Sequence, residues 1–233
     1  MSGTLYGISL GPGDPDLMTL KAARLIAASP VVAWPALPGK ESLARTIAAA
    51  HIASGTREIR MDIPMTSART PAQTAYDHHA ATIADELAAG RDVAVLCEGD
   101  ALFYGSFMYL MARLVPRFSC KIIPGVTSVT ACAAAAGLAL AARNERITVL
   151  PGPLPEHELR MRIEGAESVV IMKVGRHIGK IRRVFKSLGL GKRAVYVERA
   201  SLPDERVLPL AEAPDPAPYF SMILLVKGGD PWL

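Results

Sequence analysis

Short apolar runs alternate with segments of helical spacing along the first half of the chain, and this order limits the fold more than any other feature. Residues 5–10 form the first run, which ends in the Gly/Pro turn Gly11-Pro12-Gly13-Asp14-Pro15, as a buried strand does. Further strands are predicted at residues 31–34, 57–63, 92–97 and 120–123, and helices at residues 19–29, 41–51, 74–89 and 102–114. Pro35 is expected to end the second strand. The alternation predicts a mostly parallel sheet with helices on both faces.

After residue 125 the pattern changes. A helix at residues 128–136 precedes strands at 146–150, 168–173, 194–198, 206–210 and 222–227, with helices at 156–163 and 177–187. The last three strands follow one another closely, which predicts an antiparallel portion. The expected class is α/β, with an N-terminal α/β domain (residues 1–122, mostly parallel sheet) and a C-terminal α/β domain (residues 123–233, mixed sheet).

Composition excludes several classes of protein. The 233 residues are 50% hydrophobic and 21% charged, and no apolar run approaches the about 18 residues that a membrane span needs. The start of the sequence lacks the basic and apolar regions of a signal peptide. Three widely spaced cysteines suit reduced thiols, so we expect a cytoplasmic protein. A net charge of +4 with 6% aromatic residues gives no reason to expect a nucleic-acid or membrane partner.

The turn at residues 11–15 follows a predicted strand, and ligands bind beyond the carboxyl ends of the strands in open α/β sheets. It lacks the spacing and the Lys-Ser/Thr of a phosphate loop. Its two prolines remove amide donors, and Asp14 would repel a phosphate. A loop with a carboxylate suits a sulfonium or an amine better, although a plain tight turn before a helix fits the composition equally well.

A second turn, residues 98–106, also follows a predicted strand. Glu98 and Asp100 flank a glycine and are followed by Phe103 and Tyr104, a set that suits ribose hydroxyls and an adenine ring. The simpler interpretation is that Asp100 caps the next helix.

A third turn, residues 123–130, contains the hydroxyl groups of Thr127 and Ser128. These hydroxyls suit either a ligand or the N-terminus of a helix, and local evidence favours capping.

Taken together, the three turns resemble those of the tetrapyrrole (corrin/porphyrin) methylases. The matching segments are Gly-Ile-Ser-Leu-Gly-Pro-Gly-Asp-Pro-Asp-Leu-Met-Thr-Leu-Lys-Ala at 7–22, Glu-Gly-Asp at 98–100 and Ile-Pro-Gly-Val-Thr-Ser at 123–128. Within that superfamily the chain is most similar to the C20-methyltransferases of precorrin-2 or cobalt-factor II, through residues 34–35, 39–44 and 196–200.

The resemblance implies two α/β domains with S-adenosyl-L-methionine in the cleft between them, a small tetrapyrrole substrate and a homodimer. The implied reaction is methylation of precorrin-2 at C20 to precorrin-3A, in the biosynthesis of corrins. The implied cofactor contacts are Pro12, Gly99, Asp100, Phe103, Thr127, Ser128, Met172 and Ala200. The chain departs from the commoner Gly-Gly-Asp-Pro form of the second turn at Glu98 and Ala101, which leaves the side-chain contacts there less secure.

Pro35 marks another departure. In the uroporphyrinogen methylases of the superfamily the matching position is a catalytic aspartate, and proline cannot accept a proton. The meso carbon of a reduced tetrapyrrole is enamine-like and already nucleophilic, so alignment and dehydration are the main requirements. The base stays unassigned, with Tyr104 and Glu98, and less so Asp100, as weak candidates.

The substrate would carry several carboxylates, which guanidinium and ammonium groups bind. The candidates are Lys40, Arg45, Lys173, Arg176 and Arg199. Taken one by one, each is better explained as a solvated surface cation. The histidines lack metal-ligand spacing, so no protein-bound metal is expected, although the substrate could carry cobalt.

Three alternatives remain open at this point. The chain could act on cobalt-factor II in the anaerobic pathway. It could be another methylase of the superfamily, acting on a different precorrin, on diphthamide or on ribosomal RNA. It could also be a non-catalytic tetrapyrrole- or nucleotide-binding module, because no residue is an indispensable nucleophile.

Overall fold

The computed structural model describes residues 1–65 and 69–228. The chain divides into two compact units, Met1–Thr127 and Ser128–Leu233. We describe each unit by itself.

The first unit contains a five-stranded parallel sheet. Its strands are β1 (Leu5–Ser9), β2 (Val31–Ala36), β3 (Arg57–Asp62), β4 (Val93–Cys97) and β5 (Cys120–Ile123), in the order β3-β2-β4-β1-β5. All four neighbouring pairs are parallel, which confirms the predicted mostly parallel sheet.

Helices cover both faces of this sheet, also as predicted. They are α1 (Leu20–Ala28), α2 (Leu43–Ala48), α3 (Arg69–Ala88) and α4 (Phe107–Leu114). Side chains of α3 and α4 pack with Leu5 and Val95 on one face, whereas α1 and α2 pack with Ile8 and Leu96 on the other. Because both faces are covered, the central strands β2 and β4 read as continuous apolar runs, whereas the edge strand β3 alternates between exposed and buried residues.

Several of the predicted boundaries are wrong: α3 begins at residue 69 and not at 74, α2 is shorter than predicted, and two further errors concern Pro35 and the start of α4. Pro35 does not end β2, which continues to Ala36. Beyond Ala33, β2 pairs only with β3, so a residue without an N–H is tolerated there. The helix predicted from residue 102 begins only at Phe107, because residues 102–106 form a turn in which Tyr104 has a left-handed φ of 58°.

The second unit contains α5 (Ser128–Ala136), β6 (Ile147–Pro151), α6 (Glu156–Glu164), β7 (Ser168–Met172), α7 (Ile178–Ser187), β8 (Val195–Glu198), β9 (Arg206–Pro209) and β10 (Ser221–Val226). The strand order is β6-β7-β10-β8-β9. Strands β6 and β7 pair in parallel, whereas β10 pairs antiparallel with β7 and β8, and β8 with β9, which confirms the predicted mixed sheet. Side chains of α6 and α7 pack on one face of the sheet and those of α5 on the other.

Within the described residues, the structure has no helix that combines the length and the apolar character needed to cross a membrane.

Candidate active site

The three turns singled out from the sequence meet at one edge of the first sheet. Strand β1 pairs with both β4 and β5, so the carboxyl ends of these strands lie side by side. Gly11 of the first turn and Gly99 of the second exchange two backbone hydrogen bonds, with N···O distances of 3.2 and 2.7 Å. The first two turns are therefore joined directly.

A hydroxyl and a carboxylate connect all three turns. The Oγ atom of Ser9, the last residue of β1, accepts the Ala101 N–H at 2.9 Å and donates to Asp100 Oδ2 at 3.5 Å. The same Oδ2 accepts the N–H of Gly125 in the third turn at 3.0 Å. Asp100 Oδ1 accepts the Leu102 N–H at 3.0 Å. Asp100, a predicted cofactor ligand, thus holds the second and third turns together.

Two glycines of these turns have different steric reasons for lacking a side chain. A Cβ at Gly125 would lie 2.6 Å from Ser9 Cβ and 3.1 Å from Gly99 O, so the third turn touches β1 directly. Gly99 has a φ of +66° and open space within 4 Å of where a Cβ would stand. The open space lies on the side of its Cα, which leaves room for a ligand to approach the turn closely.

The second turn also exposes apolar surface. Leu102, Phe103 and Tyr104 are 46%, 37% and 42% exposed. The two aromatic rings meet edge to face, with their centroids 5.4 Å apart. Tyr104 is also one of few non-glycine residues with a left-handed backbone, a strained state that is concentrated at binding and active sites. The turn therefore presents the aromatic surface that was predicted for an adenine ring.

The first turn is shaped by its own carboxylate. Asp14 Oδ1 accepts the Asp16 N–H at 2.9 Å, and this bond begins the short 3₁₀ turn Pro15–Leu17. Pro12 is half-buried at the tip of the turn. These contacts show that Asp14 shapes the loop.

Glu98 is a carboxyl group at this edge whose pKa departs from its ordinary value. Burial raises the pKa of its carboxyl group, and hydrogen bonds from its own N–H and from the N–H of Ala44 in α2 lower it in part. The neighbouring Cys97 thiol is also held protonated, because burial and then the charges of Glu98 and Asp100 raise its pKa. Glu98, one of the weak catalytic candidates, therefore carries a carboxyl group whose pKa is raised towards neutral pH.

The position of Pro35 is fixed by the loop that follows it. Ser42 Oγ donates to the Pro35 carbonyl oxygen at 2.7 Å and accepts the Arg45 N–H at 3.3 Å, which caps α2. The Pro35 carbonyl, and not its side chain, makes this contact. Only the backbone of residue 35 is therefore needed to hold the loop.

In the second unit, non-glycine residues with a left-handed backbone lie within three positions of the ends of β7 and β8. Lys173 has a φ of 55°, Arg199 of 54° and Ser201 of 66°. Such conformations cost about 1–3 kcal/mol each and persist where the surrounding structure fixes them. They adjoin Met172 and Ala200, the two cofactor contacts predicted for this unit.

Met172 and Ala200 are themselves almost buried, at 9% and 7% exposure, and their side chains pack in the core cluster beneath α5. A ligand would therefore reach their backbone rather than their side chains. The other predicted contacts, Thr127 and Ser128, stand where α5 begins.

The five predicted substrate-binding cations differ in what they already contact. Arg45 forms a two-pronged ion pair with Glu58, at 3.1 and 3.2 Å, and Arg199 pairs with Asp204 at 2.7 Å. Lys173 is exposed and also has a partner of its own. Lys40 and Arg176 are exposed, and in the described part of the chain their side chains have no ion pair. Lys40 and Arg176 are therefore the members of the set best placed to accept a new carboxylate.

The sequence did not identify Ser9 and Gly125 as site residues. The signals were that both lie within the segments that resemble the family, at 7–22 and 123–128, and that Ser9 is a small polar residue in the apolar run just before the first turn. Among residues 1–65 and 69–228, no group of three or more His, Cys, Asp or Glu is arranged to hold a metal ion.

Comparison with known proteins adds the family. The profile of the Tetrapyrrole (Corrin/Porphyrin) Methylases matches residues 4–214. The chain belongs to this family. The similarity to the tetrapyrrole methylases therefore covers nearly the whole of this chain and is not confined to the three turns.

Three curated relatives are similar over almost all of this chain. The cobalamin biosynthesis protein CobIJ of Mycobacterium tuberculosis is 45% identical over 97% of the chain, but the chain spans only 46% of that protein's length. The precorrin-2 C(20)-methyltransferase of a Sinorhizobium species is 40% identical, over 96% of this chain and 95% of its own. The cobalt-precorrin-2 C(20)-methyltransferase of Salmonella typhimurium is 33% identical, over 97% and 98%.

Solved structures agree with the fold. A cobalt precorrin-4 methyltransferase superposes with a TM-score of 0.75 at 26% identity, covering 96% of this chain and 94% of its own. The uroporphyrin-III C-methyltransferase of Thermus thermophilus, in complex with S-adenosylhomocysteine, has a TM-score of 0.67 at 25% identity, covering 97% and 92%.

Proposed function

We propose that this tetrapyrrole methylase transfers a methyl group from S-adenosyl-L-methionine to C20 of precorrin-2, giving precorrin-3A in cobalamin biosynthesis. The observation that carries the proposal is the convergence of three turns at one sheet edge, tied by Ser9, Asp100 and Gly125. The choice of C20 rests on the similarity to the Sinorhizobium enzyme, which covers nearly the full length of both chains.

The first unit fits the proposed cofactor. Nothing lies within 4 Å of where a Cβ of Gly99 would stand, so a ligand has room to approach the second turn. Phe103 offers an exposed apolar ring for the adenine. The first turn has prolines and a carboxylate where a phosphate site would need amide donors. When bound, S-adenosylmethionine supplies a methyl group on a positively charged sulfur, which the acidic loop tolerates and a phosphate loop would not.

The residues of the chain contribute alignment and proton transfer. The C20 carbon is nucleophilic by itself, so a rigid cofactor site supplies much of the rate enhancement through orientation. We assign the acceptance of the C20 proton to Glu98 rather than Tyr104. The carboxyl of Glu98 has its pKa raised by burial, and a pKa nearer to neutrality suits a base at cellular pH.

Incubation with methyl-labelled S-adenosylmethionine and precorrin-2 tests the proposal. We expect one labelled methyl group, at C20, with one S-adenosylhomocysteine released per turnover. Nuclear magnetic resonance of the product identifies the carbon. Label at any other ring carbon would contradict the assignment of C20, and absence of S-adenosylhomocysteine would contradict methyl transfer altogether.

A cobalt-containing substrate is the second candidate, because the Salmonella relative acts on cobalt-precorrin-2 and matches 97% of the chain. Turnover of metal-free and cobalt-loaded substrate, compared under anaerobic conditions, distinguishes the two. A higher kcat/KM for the cobalt form would reassign the substrate while leaving C20 as the site of methylation.

The proposal extends to a homodimer, as the family resemblance implies. From the cysteine content, composition and charge, it also places the protein in the cytoplasm without a nucleic-acid or membrane partner. Analytical ultracentrifugation of the purified protein tests the dimer. A monomer at micromolar concentration would contradict it.

A further inference from the structure

We infer that Ser9 is the positioning residue of the proposed cofactor site: its buried hydroxyl sets the conformation of the second and third turns through Asp100. This inference rests on the proposed function, because the ligand used to test it is S-adenosylhomocysteine. Ser9 itself is fully buried and does not need to touch the ligand.

The surroundings of Ser9 explain why a hydroxyl is present there. Its neighbours Ile8 and Leu10 are fully buried on the face of β1 that packs under α1 and α2, and Ser9, between them, is fully buried on the opposite face beside Cys97. A hydroxyl in such a place is unfavourable unless it is hydrogen-bonded. Ser9 meets that requirement with contacts to the second turn, at Ala101 and Asp100. The end of β1 and the start of the second turn are therefore fixed to each other.

Asp100 passes this constraint on to the third turn. Its two carboxylate oxygens receive the N–H groups of Leu102 and Gly125 and the hydroxyl of Ser9, so donors from three separate segments fix its orientation. A carboxylate with three donors keeps little free capacity for cofactor hydroxyls. Asp100 is thus better suited to hold Gly99 and Gly125 in place than to bind the ligand by its side chain.

Packing specifies the size of residue 9 as well. A Cβ on Gly125 would stand 2.6 Å from the Cβ of Ser9, so the third turn rests directly on this side chain. A larger residue at position 9 would displace the turn, and alanine would keep the contact but lose both hydrogen bonds. Serine combines the small size with the hydroxyl that the two turns require.

The experiment measures S-adenosylhomocysteine binding by isothermal titration calorimetry for wild type, Ser9→Ala, Asp100→Asn and the double variant. We expect each single change to weaken binding about tenfold, since a hydrogen bond to a charged group is lost. Asparagine keeps the shape of Asp100 but places an NH₂ group against a backbone N–H. If Ser9 acts through Asp100, the two losses should not add. The Kd of the double variant should then be at most about twofold higher than that of the single variant with the higher Kd.

Two serines elsewhere provide matched controls. Ser29, 5% exposed before β2, donates to the Leu25 carbonyl at 2.7 Å, so Ser29→Ala removes a buried hydrogen bond away from the turns. Ser168 in the second unit is fully buried, and its hydroxyl has no hydrogen-bond partner among the described residues. Ser29→Ala should lower Tm and leave the Kd within twofold of wild type. Ser168→Ala removes a buried hydroxyl that has no partner, so it should raise Tm or leave it unchanged, with the Kd also unchanged.

Steady-state kinetics separates positioning from general loss of structure. We expect Ser9→Ala to raise the KM for S-adenosylmethionine about tenfold, with kcat at saturating cofactor within about twofold of wild type. Unchanged Kd in Ser9→Ala, or an equal loss of affinity in Ser29→Ala, overturns the inference alone. A wild-type protein that binds no S-adenosylhomocysteine overturns the proposed function and the inference together. Should Ser9→Ala fail to fold, Asp100→Asn carries the same prediction, because it changes a half-exposed loop residue.

Discussion

The first sheet has a carboxylate at the amino ends of its strands and another at the carboxyl ends. The two carboxylates are bound by different groups, and we call these two sides the amino-end edge and the carboxyl-end edge. At the amino-end edge, Glu86 is 3% exposed and pairs with Arg57 at 3.1 Å and Arg91 at 2.5 Å. At the carboxyl-end edge, Asp100 receives backbone N–H groups from two turns and the hydroxyl of Ser9. One carboxylate is neutralised by side chains, and the other organises backbone.

This difference separates stability from function. The arginines that pair with Glu86 are about half exposed, so water can solvate them when the pair is broken. The amides that Asp100 binds belong to loops whose shape depends on that bond. Changes at the amino-end edge should therefore affect folding only, whereas changes at the carboxyl-end edge should affect ligand binding and catalysis.

The largest effect is expected from Glu98→Gln at the carboxyl-end edge. Loss of a proton acceptor typically costs about 100-fold or more in rate, so kcat should fall by about that factor while S-adenosylhomocysteine affinity stays within threefold. Single-turnover kinetics with labelled cofactor provides the measurement. A kcat within threefold of wild type would move the proton step to Tyr104 or to solvent.

The same variant gives a pH signature of stability. Burial raises the folded-state pKa of Glu98 above its unfolded value of about 4.3, so the folded state binds more protons than the unfolded state as pH rises above that value. The free energy of unfolding therefore falls as the pH rises from about 4 to the folded pKa of Glu98, and the loss persists at higher pH. Glu98→Gln should be more stable than wild type at pH 7 and equally stable near pH 3, as measured by urea unfolding. A variant less stable at pH 7 would contradict the assigned burial.

A pair of glycines gives the next largest effect. Gly125→Ala places a methyl group against Ser9, and we expect S-adenosylhomocysteine binding to weaken by about tenfold to 100-fold, from about 1–3 kcal/mol of overpacking. Gly3 is the matched position at the opposite edge, where a Cβ would collide with the backbone of Arg91. Gly3→Ala should lower the free energy of unfolding by a similar amount with unchanged Kd. Equal losses of affinity in both variants would remove the distinction between the edges.

Glu86→Gln should have a smaller effect, confined to stability. It weakens two ion pairs whose arginines are partly solvated, and we expect a loss of about 1 kcal/mol in the free energy of unfolding. Turnover and S-adenosylhomocysteine affinity should match those of wild type. Urea titration and steady-state kinetics on the same preparation test this, and a change in KM would link the two edges.

Pro35→Ala is expected to have the smallest effect, although the residue lies at the carboxyl-end edge. The Pro35 contact to Ser42 uses the backbone carbonyl, which alanine retains, and no proton transfer is assigned there. We expect kcat/KM within about twofold of wild type, since the substitution removes no hydrogen bond. A tenfold loss would mean that the rigidity of proline shapes this loop and that the edge is functional further along β2 than proposed.

Much of the fold could be predicted from the order of elements. The bounds of β5 and α5 agree to the residue, because each lies between strong turn signals. The predicted end of β2 at Pro35 was wrong because a proline is tolerated where its missing N–H faces the unpaired side of a strand. Which side is paired depends on the neighbouring strands, and so on the tertiary structure. The start of α4 was misplaced because Tyr104 takes a left-handed backbone that its own propensity does not favour.

The candidate site was predictable only in part. The motifs located the three turns, and their similarity to the family supplied the cofactor. Arg45 and Arg199 were chosen as substrate ligands from their charge, yet they pair with Glu58 and Asp204 in the fold. A sequence gives the charge of a residue but not its partner, which is why these assignments were the weakest.

The sequence by itself determined that strands and helices alternate, that a glycine-containing turn follows β1, β4 and β5, and which family those turns resemble, because these properties are local or repeat along the chain. Only the tertiary structure decided that Ser9 joins the turns. The contact of Ser9 with Asp100 spans 91 residues, and that of Asp100 with Gly125 spans 25. Parallel pairing of β1 with β4 and β5 brings these residues to one edge, and no local pattern in the chain encodes that distance.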